Sequence, residues 1–340
     1  MHEALLWRTE DDRIHCHLCP HSCRIAPGKR GVCGVRENVD GTLIALTYAE
    51  VSSVAADPIE KKPVFHFRPG TKALSLGSVG CTMRCQHCQN WQISRVKPGD
   101  GSGVADGLQH LPPEDVPDLA ARYGCEGVAF TYNEPVIWAE YVLDTATAAK
   151  DAGLYTVMVT NGYITEEGLD LVGPVIDVWR VDLKGMTDET LRNLCKVPSV
   201  QPILDGAVRA KEKWGMHVEV VTNVIPTIND DDEQLRAMAR WIREALGPAT
   251  PWHVTRFFPY LELSHLPPTP VATLRRARDI GREEGLSYVF LGNLAEEGGE
   301  DTTCPSCGHL LIERDGYTIV RSDAGEGSCP ACGNPTGIVA

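Results

Sequence analysis

Residues 73–88 read ALSLGSVGCTMRCQHC, an apolar run followed by three closely spaced cysteines. The apolar half, residues 73–79, predicts a buried strand that ends in small residues. Cys81, Cys85 and Cys88 follow in the spacing C-x3-C-x2-C, on what we call the cysteine loop (residues 80–88). Four-iron clusters are normally held by four cysteines, so three on one loop would leave one iron open to another ligand. The stretch therefore predicts a strand followed by a reactive iron–sulfur site.

Two other interpretations of the three thiols are open. A zinc ion could be bound there if a fourth ligand, for which His87 is the candidate, completed a tetrahedron. Free cysteines also occur as small apolar residues of protein cores. Three cysteines within eight residues, among polar neighbours, favour the iron–sulfur site over both.

Composition and charge limit the class of protein. The chain has 340 residues, 43% of them hydrophobic and 23% charged, as in a soluble globular protein with more than one domain. The formal net charge of −14 argues against a broad phosphate-binding face, so no nucleic-acid partner is expected. The N-terminus does not have the pattern of a signal peptide, and no apolar run is long enough to span a membrane.

The cysteines indicate the compartment. Thirteen cysteines without an export signal are typical of metal and cluster ligands in a reducing environment, so a cytoplasmic location is expected. Eleven of them fall into three groups along the chain. Cys125 and Cys195 stand apart and are expected to be core thiols.

The three groups suggest three regions. We predict an N-terminal cysteine-rich module at 1–60, a core domain at 61–297 and a C-terminal module at 298–340. In the middle region, seven apolar, β-branched runs alternate with longer helical patterns, which is typical of a parallel sheet covered on both faces. The predicted fold class is therefore α/β, as a partial or near-complete (β/α) barrel with the cysteine loop after its first strand. A doubly wound sheet is the alternative.

Two helices are predicted between these strands. One covers about 135–151, with Trp138, Val142 and Ala149 on one side. The other follows the acidic run at 229–232, whose carboxylates suit a helix start, where the helix dipole favours negative charge. The acidic run is therefore interpreted as a cap and not as a metal site.

Polar side chains collect where the predicted strands end. Because the carboxyl ends of barrel strands build the active site, these side chains are candidates for binding a cofactor or substrate. They are Asn133, Glu134, Asn161, Asp182, Lys184, Asn223 and Asn293.

The cysteine spacing resembles the signature of the radical S-adenosylmethionine (SAM) enzymes. This resemblance implies that Cys81, Cys85 and Cys88 bind three irons of a 4Fe–4S cluster, and that the amino and carboxylate groups of SAM chelate the fourth. It also implies reductive cleavage of SAM to methionine and a 5′-deoxyadenosyl radical, which abstracts hydrogen from a substrate. His87 departs from the aromatic residue that often precedes the third cysteine.

Within that superfamily the chain resembles the pyruvate formate-lyase activating-enzyme branch. The Gly-Gly-Glu-Pro motif of the branch corresponds to residues 132–135, where Glu134 and Pro135 match and the two glycines do not. The resemblance implies that Glu134, and with it Asn133, contacts the amino group of SAM. From the residues alone, Glu134 is equally a first-turn helix acid ahead of a proline.

Two further motifs of the branch have counterparts here. Asp182 and Lys184 match its Asp-x-Lys motif, which implies that Lys184 pairs with the SAM carboxylate and that Asp182 orients groups in the pocket. Asn161 and Gly162 resemble its Thr-Asn-Gly turn, which implies that Asn161 meets SAM. An Asn-Gly pair is also a common turn in its own right.

The C-terminal region carries two C-x2-C turns with 21 residues between them. The pattern resembles a zinc ribbon, because four thiolates set tetrahedrally suit zinc. A rubredoxin-like iron site is the alternative. We call this group the C-terminal quartet: Cys304, Cys307, Cys329 and Cys332.

The N-terminal region also has four cysteines in a short span. By count they form a second four-thiolate site, and zinc and an auxiliary iron–sulfur cluster both satisfy it. We call this group the N-terminal quartet: Cys16, Cys19, Cys23 and Cys33.

Over nearly its full length the chain resembles the AmmeMemoRadiSam system radical SAM enzymes, on residues 16–23, 31–36 and 85–94. The resemblance implies a radical SAM oxidoreductase that uses an electron donor such as flavodoxin or ferredoxin. Its substrate would be a glycine site of a partner protein or another molecule, handled with Memo-like and AMMECR1-like proteins. The alternative function is a metal-binding scaffold with structural zinc sites only.

Overall fold

The computed structural model describes residues 1–96, 107–294, 296, 298–325 and 327–340. The chain divides into two compact units, each assembled from segments that are distant in sequence. The first unit comprises Met1–Asp57, Lys72–Trp179 and Gln201–Met216. The second unit comprises Pro58–Thr71, Arg180–Val200 and His217–Ala340. The three regions inferred from the cysteine groups stay a prediction.

The strands of the described residues are mostly short. In chain order they are β1 (His2–Glu3), β2 (Trp7–Glu10), β3 (Arg13–Cys16), β4 (Arg24–Ile25), β5 (Arg36–Val39), β6 (Thr42–Ala45), β7 (Glu50–Val51), β8 (Ser53–Pro58), β9 (Lys72–Gly77), β10 (Gln109–His110), β11 (Gly127–Phe130), β12 (Tyr155–Thr160), β13 (Val178–Asp182), β14 (His217–Val224), β15 (Trp252–Arg256), β16 (Val289–Gly292), β17 (Thr302–Thr303), β18 (Leu310–Asp315) and β19 (Thr318–Ser322). All seven strands predicted from apolar runs are present, as β9 and β11–β16.

The α-helices of the described residues are α1 (Trp91–Ser94), α2 (Val116–Arg122), α3 (Ala139–Asp151), α4 (Glu166–Val172), α5 (Asp188–Leu194), α6 (Gln201–Glu212), α7 (Asp232–Trp241) and α8 (Val271–Glu283). A 3-10 turn, Pro135–Trp138, precedes α3, so the helix predicted over 135–151 is confirmed with a tighter first turn. A π-helical turn, Ile242–Leu246, follows α7. Within the described residues, no helix is long and apolar enough to cross a membrane.

Parallel strands form the centre of the first unit. Strands β9, β11 and β12 lie side by side and parallel, with Ala73 opposite Gly127 and Gly127 opposite Tyr155. The four residues of β11 are all buried, as expected for a strand covered on both faces. Because the strands are parallel, their carboxyl ends meet at one edge. The cysteine loop after β9 and the polar residues after β11 and β12 therefore start from the same edge.

The N-terminal part of the first unit is antiparallel. It contains two three-stranded sheets, in the orders β1-β6-β5 and β2-β3-β4. Cys16 is the last residue of β3 and Cys33 lies in the turn before β5. The N-terminal quartet is thus carried by turns between short strands.

The second unit also contains parallel strands, in the order β14, β15 and β16. Helix α8 packs against β15 and β16, and α7 packs against α8. Asp231 caps α7 through a hydrogen bond from the backbone nitrogen of Gln234, which confirms the acidic run as a helix start. A small antiparallel sheet, β17-β18-β19, carries the C-terminal quartet.

Candidate functional site

The cysteine loop begins at a glycine that no other residue could replace without strain. Gly80 has a φ of +89°, a conformation that L side chains rarely adopt. A Cβ atom built there would lie 2.8 Å from the carbonyl oxygen of Cys33 and 2.9 Å from Cγ1 of Val35. The loop therefore passes in direct contact with the turn that carries the last thiol of the N-terminal quartet.

The thiol of Cys81 lies among groups that act on its charge. Burial, and then the negative charges of Glu134 and of the other two loop cysteines, raise the pKa of Cys81 well above its ordinary value. Two donors approach the sulfur: the backbone nitrogen of Met83 at 3.3 Å and Nδ2 of Asn161 at 3.7 Å. A buried sulfur that receives two such contacts is suited to be a metal ligand.

Asn161 connects the end of β12 to the cysteine loop. Its Nδ2 donates to Oγ1 of Thr82 at 3.0 Å, and its Oδ1 accepts from the backbone nitrogen of Tyr163 at 2.9 Å. Thr82 is buried. Asn161 is therefore not only a turn residue, because its side chain reaches the loop that carries the three thiols.

Glu134 joins the loops that follow β11 and β12. Its carboxylate, 2% exposed, accepts from the backbone nitrogens of Val136 at 3.0 Å and Asn161 at 2.8 Å, and from Oγ1 of Thr160 at 2.6 Å. The bond to Val136 is the helix-start role that the residues alone suggested. The other two bonds place the same carboxylate beside Asn161.

Asn133 holds the start of the cysteine loop. Its Oδ1 accepts from the backbone nitrogen of Ser78 at 2.9 Å, and its Nδ2 donates to the carbonyl of Gly80 at 3.2 Å. The preceding residue, Tyr132, has a φ of +72°, in the region that favours glycine. Tyr132 stands where the motif of the branch has its first glycine, and it adopts a backbone conformation that glycine adopts readily.

Asp182 and Lys184 lie in the second unit and bind each other. Oδ2 of Asp182 accepts from Nζ of Lys184 at 3.0 Å, and its Oδ1 accepts from Nη1 of Arg180 at 2.6 Å. Burial disfavours the charged carboxylate, but Arg180 and Lys184 outweigh it and hold the pKa of Asp182 below its ordinary value. The two motif residues form an ion pair with a third residue that the motif did not indicate.

The remaining strand-end residues bind backbone nearby. Nδ2 of Asn223 donates to the carbonyl oxygen of Thr255 at 3.3 Å, and Nδ2 of Asn293 donates to the carbonyl oxygen of Arg256 at 3.2 Å. The structure thus brings Cys81, Asn133, Glu134 and Asn161 together in the first unit. Sequence reasoning missed Thr82 and Thr160, although each stands next to a predicted site residue.

The C-terminal quartet has the spacing of ligands to a single ion. Its four sulfur atoms all lie within 4.8 Å of one another, with 3.6 Å between Cys304 and Cys332 and 3.7 Å between Cys307 and Cys329. Thiolates held about 2.3 Å from one zinc ion in a tetrahedron are about 3.8 Å apart. A backbone hydrogen bond from Cys307 is the main cause that lowers the pKa of Cys304 to about 6, so one thiolate is available at neutral pH.

The N-terminal quartet lines one cavity of the first unit. Burial raises the pKa of Cys19, and the charges of the other three thiols raise it further. The ring of His21, which also lines this cavity, lies with Nε2 2.6 Å from the carbonyl oxygen of Thr82. The quartet and the cysteine loop are therefore neighbours.

Comparison with known proteins agrees with this site. The Radical SAM superfamily profile matches residues 76–242, which include the cysteine loop and the strand-end residues. An uncharacterised protein of Methanocaldococcus jannaschii is 41% identical over 342 aligned positions, covering 100% of both chains. Pyruvate formate-lyase 1-activating enzyme of Escherichia coli is 28% identical over 171 residues, covering 48% of this chain and 66% of that protein.

Among solved structures, a radical SAM methyltransferase from Sphaerobacter thermophilus has a TM-score of 0.49 and 16% identity, covering 66% of this chain and 67% of that one. Enzymes of the superfamily use a 4Fe–4S cluster and SAM, and cysteine thiolates are the usual ligands of such a cluster. The α/β architecture, with mostly parallel strands, is also that of the superfamily. The chain therefore belongs to the radical SAM superfamily and is similar to its pyruvate formate-lyase activating enzymes.

Proposed function

We propose that this chain is an oxidoreductase that cleaves SAM reductively, with Cys81, Cys85 and Cys88 as the ligands of its 4Fe–4S cluster. One observation carries the proposal: Asn161, at the end of a neighbouring parallel strand, reaches both Cys81 and Thr82 of the cysteine loop. The bound cluster would supply one electron to SAM, giving methionine and a 5′-deoxyadenosyl radical that abstracts hydrogen from a substrate.

The side chains at the strand ends are proposed to hold SAM. Glu134 would receive the amino group, since its carboxylate is buried and already orients the backbone of Asn161 beside the thiols. Asn133 would shape the pocket by fixing the loop at Gly80. Asn161 would direct its amide toward SAM and the cysteine loop.

The SAM carboxylate is proposed to bind Lys184. Its ammonium group now pairs with Asp182, which also binds Arg180, so two cations share one carboxylate. An ammonium group at the end of a strand is a suitable charge-assisted partner for a ligand carboxylate. A partial or near-complete (β/α) barrel is the scaffold that we propose for the parallel strands.

The substrate and partners are proposed from the relatives. Because several relatives are named pyruvate formate-lyase activating enzymes, a glycine site on a partner protein is one proposed substrate. Another protein or a small molecule, handled with Memo-like and AMMECR1-like proteins, is the other. Flavodoxin or ferredoxin is the proposed electron donor. Zinc is the proposed ion of the C-terminal quartet. The proposed location is the cytoplasm.

Anaerobic reconstitution of the full chain with iron and sulfide, followed by dithionite and SAM, tests the proposal. The wild type should release 5′-deoxyadenosine. Cys85→Ala should abolish that release, whereas Cys125→Ala, at a buried cysteine outside the three groups, should retain it. A fully loaded wild type that yields no 5′-deoxyadenosine would refute the proposal.

The same preparation separates the enzyme from a zinc scaffold. If the cysteine loop holds a cluster, the iron content should fall by about four per chain in Cys81→Ala/Cys85→Ala/Cys88→Ala. Zinc as the only metal in the wild type would instead support the scaffold. A glycyl radical detected by electron paramagnetic resonance on an added partner would identify the first proposed substrate.

A further inference from the structure

The N-terminal quartet differs from the C-terminal quartet in the spacing of its sulfur atoms. Within the described residues, the C-terminal quartet is the only group of three or more metal-ligating side chains with all donor atoms within 4.8 Å. The N-terminal thiols line one cavity, yet no three of them are that close. Ligands of one ion must share its small coordination sphere, whereas ligands of a cluster bind separate irons and stand further apart.

The cysteine loop shows the same wider spacing. Cys81, Cys85 and Cys88 also fall outside the 4.8 Å limit, although their charges act on one another. Of the three cysteine groups in the described chain, only the C-terminal quartet thus has all its sulfur atoms within this limit, and the two groups of the first unit exceed it. The spacing that marks a cluster site in the loop therefore marks one in the N-terminal quartet as well.

The lining of the cavity suits a buried anionic cluster. Leu18, Ile25 and Ile137 supply apolar surface around the thiols. Arg36, 2% exposed, lines the same cavity and directs Nη1 to the sulfur of Cys16 at 3.9 Å. Its Nε has no hydrogen-bond partner among the described residues. An unpaired buried donor is costly, and a sulfur atom of a cluster would accept a hydrogen bond from it.

Backbone donors also point at the quartet. The nitrogen of Val32 lies 3.5 Å from the sulfur of Cys23, at the turn that leads to Cys33. Such N–H contacts to sulfur, with burial, are the means by which a protein tunes the potential of an iron–sulfur cluster. The turn before Cys33 therefore includes a hydrogen bond to a cysteine sulfur.

The quartet also lies directly against the cysteine loop. A Cβ atom built on Gly80 would lie 2.8 Å from the carbonyl oxygen of Cys33, and His21 is hydrogen-bonded to the carbonyl oxygen of Thr82. Cys33 shares a buried apolar cluster with Val79 and Ile137. A cofactor in this cavity would be separated from the loop cluster by little more than these contacts.

The geometry points to a second iron–sulfur cluster, held by Cys16, Cys19, Cys23 and Cys33 and placed beside the SAM-binding cluster. The assignment concerns this module alone and does not depend on SAM cleavage. It excludes zinc as the ion of the N-terminal quartet, while zinc remains the proposed ion of the C-terminal quartet.

The test uses the full chain with Cys81→Ala, Cys85→Ala and Cys88→Ala, purified and reconstituted without oxygen. This variant should still contain about four irons and four sulfides per chain, with the electron paramagnetic resonance of a reduced cluster. Adding Cys16→Ala and Cys33→Ala should remove that iron. Adding Cys125→Ala instead should not. In the wild type, the two reduced clusters should broaden each other's resonance, and this broadening should vanish in the loop variant.

Two results would overturn the assignment. In the first, the loop variant contains a second zinc ion per chain in place of the iron. In the second, its N-terminal quartet binds no metal, while the C-terminal quartet keeps its zinc and the chain keeps its native circular dichroism. Either result leaves SAM cleavage by the wild type untouched. The opposite outcome is a loop variant that contains the expected iron and a wild type that does not cleave SAM. That outcome would support the second cluster and refute only the proposed function.

Discussion

The carboxylate of Glu134 accepts a hydrogen bond from the backbone nitrogen of Asn161 at 2.8 Å, which ties together two loops at the same edge of the parallel strands. Glu134→Gln should weaken this tie. The carboxylate accepts three hydrogen bonds, and the NH2 group of glutamine would face one of those donors and leave it unpaired. Leaving a buried donor unpaired costs about 1–3 kcal/mol. Urea unfolding should show a loss of this size, together with a higher KM for SAM.

Glu189→Gln is the matched control, since Glu189 is exposed in the first turn of α5. Exposed substitutions of this kind usually change stability by less than about 0.5 kcal/mol. Equal stability losses in the two variants would show that the buried carboxylate does not hold the loops.

Gly80→Ala should be more damaging than Gly41→Ala. Both glycines have positive φ, +89° and +85°, so both variants incur the backbone strain of about 1–2 kcal/mol. Only Gly80 is crowded, by the Cys33 carbonyl at 2.8 Å, whereas nothing lies within 4 Å of a Cβ at Gly41. Chemical denaturation and iron content should both separate the variants, and identical behaviour would contradict the contact between the loop and the quartet.

The C-terminal quartet should bind one zinc ion per chain. Its sulfur spacing fits a single tetrahedral ion, and structural zinc supplies on the order of 10 kcal/mol to the folding of small modules. Cys329→Ser should abolish the zinc and expose the buried residues Leu311 and Ile312 to proteolysis. Elemental analysis with limited proteolysis, and Cys125→Ser as control, would detect this, and a fully folded zinc-free module would contradict it.

Lys184→Met should raise the KM for SAM with little effect on folding. A charge-assisted hydrogen bond is worth about 1.5–3 kcal/mol, so the expected change is roughly 10- to 150-fold. Lys29→Met, at an exposed lysine, should leave the KM unchanged. An unaltered KM in Lys184→Met would show that another cation binds the SAM carboxylate.

The second unit should lose stability in acid through a buried network around Glu219. Its carboxylate, 0% exposed, accepts from the backbone nitrogens of Phe65 and His66 and bonds to His217 and His253. Burial opposes the charge, but the two histidines outweigh it and lower the pKa of Glu219 well below its ordinary value. Its contribution is complete above the ordinary carboxyl pKa and is lost as the pH falls through the lower folded value.

His66 adds a second acid-sensitive group, because burial lowers its pKa to about 3. The unfolded chain takes up a proton below about pH 6.5 and the folded chain does not, so stability should fall by about 1.4 kcal/mol per pH unit from there toward pH 3. Urea unfolding at several pH values should show this slope. It should be shallower in His66→Phe and unchanged in His265→Phe, at an exposed histidine, and equal slopes in all three chains would contradict the prediction.

The sequence predicted what depends on local pattern. Seven strands followed from apolar runs, and the acidic cap of α7 followed from its position before a helical rhythm. Asn161 is a strand-end candidate from the sequence, and in the structure its Nδ2 lies 3.7 Å from the sulfur of Cys81; its contact with SAM stays a prediction.

What the sequence did not predict are the contacts between residues far apart in the chain. Periodicity says which face of a strand is buried but not which distant side chain meets it. His253 lies on β15, and its hydrogen bond to Glu219 places it in a buried network that no local pattern indicates. Arg180 joins Asp182 and Lys184 from the interior of a strand, where an apolar run gives no sign of an ion pair.

Arg36 has a consequence for how the chain can be divided. Its guanidinium is hydrogen-bonded to Glu140 in α3, 104 residues away, and both side chains are 2% exposed. A fragment that stops at residue 60 would carry this cation without its counterion, at a cost of several kcal/mol if it stayed buried. The cysteine-rich start of the chain should therefore not fold as an independent domain when it is fused to another protein. During synthesis, it should complete its folding only after α3 has left the ribosome.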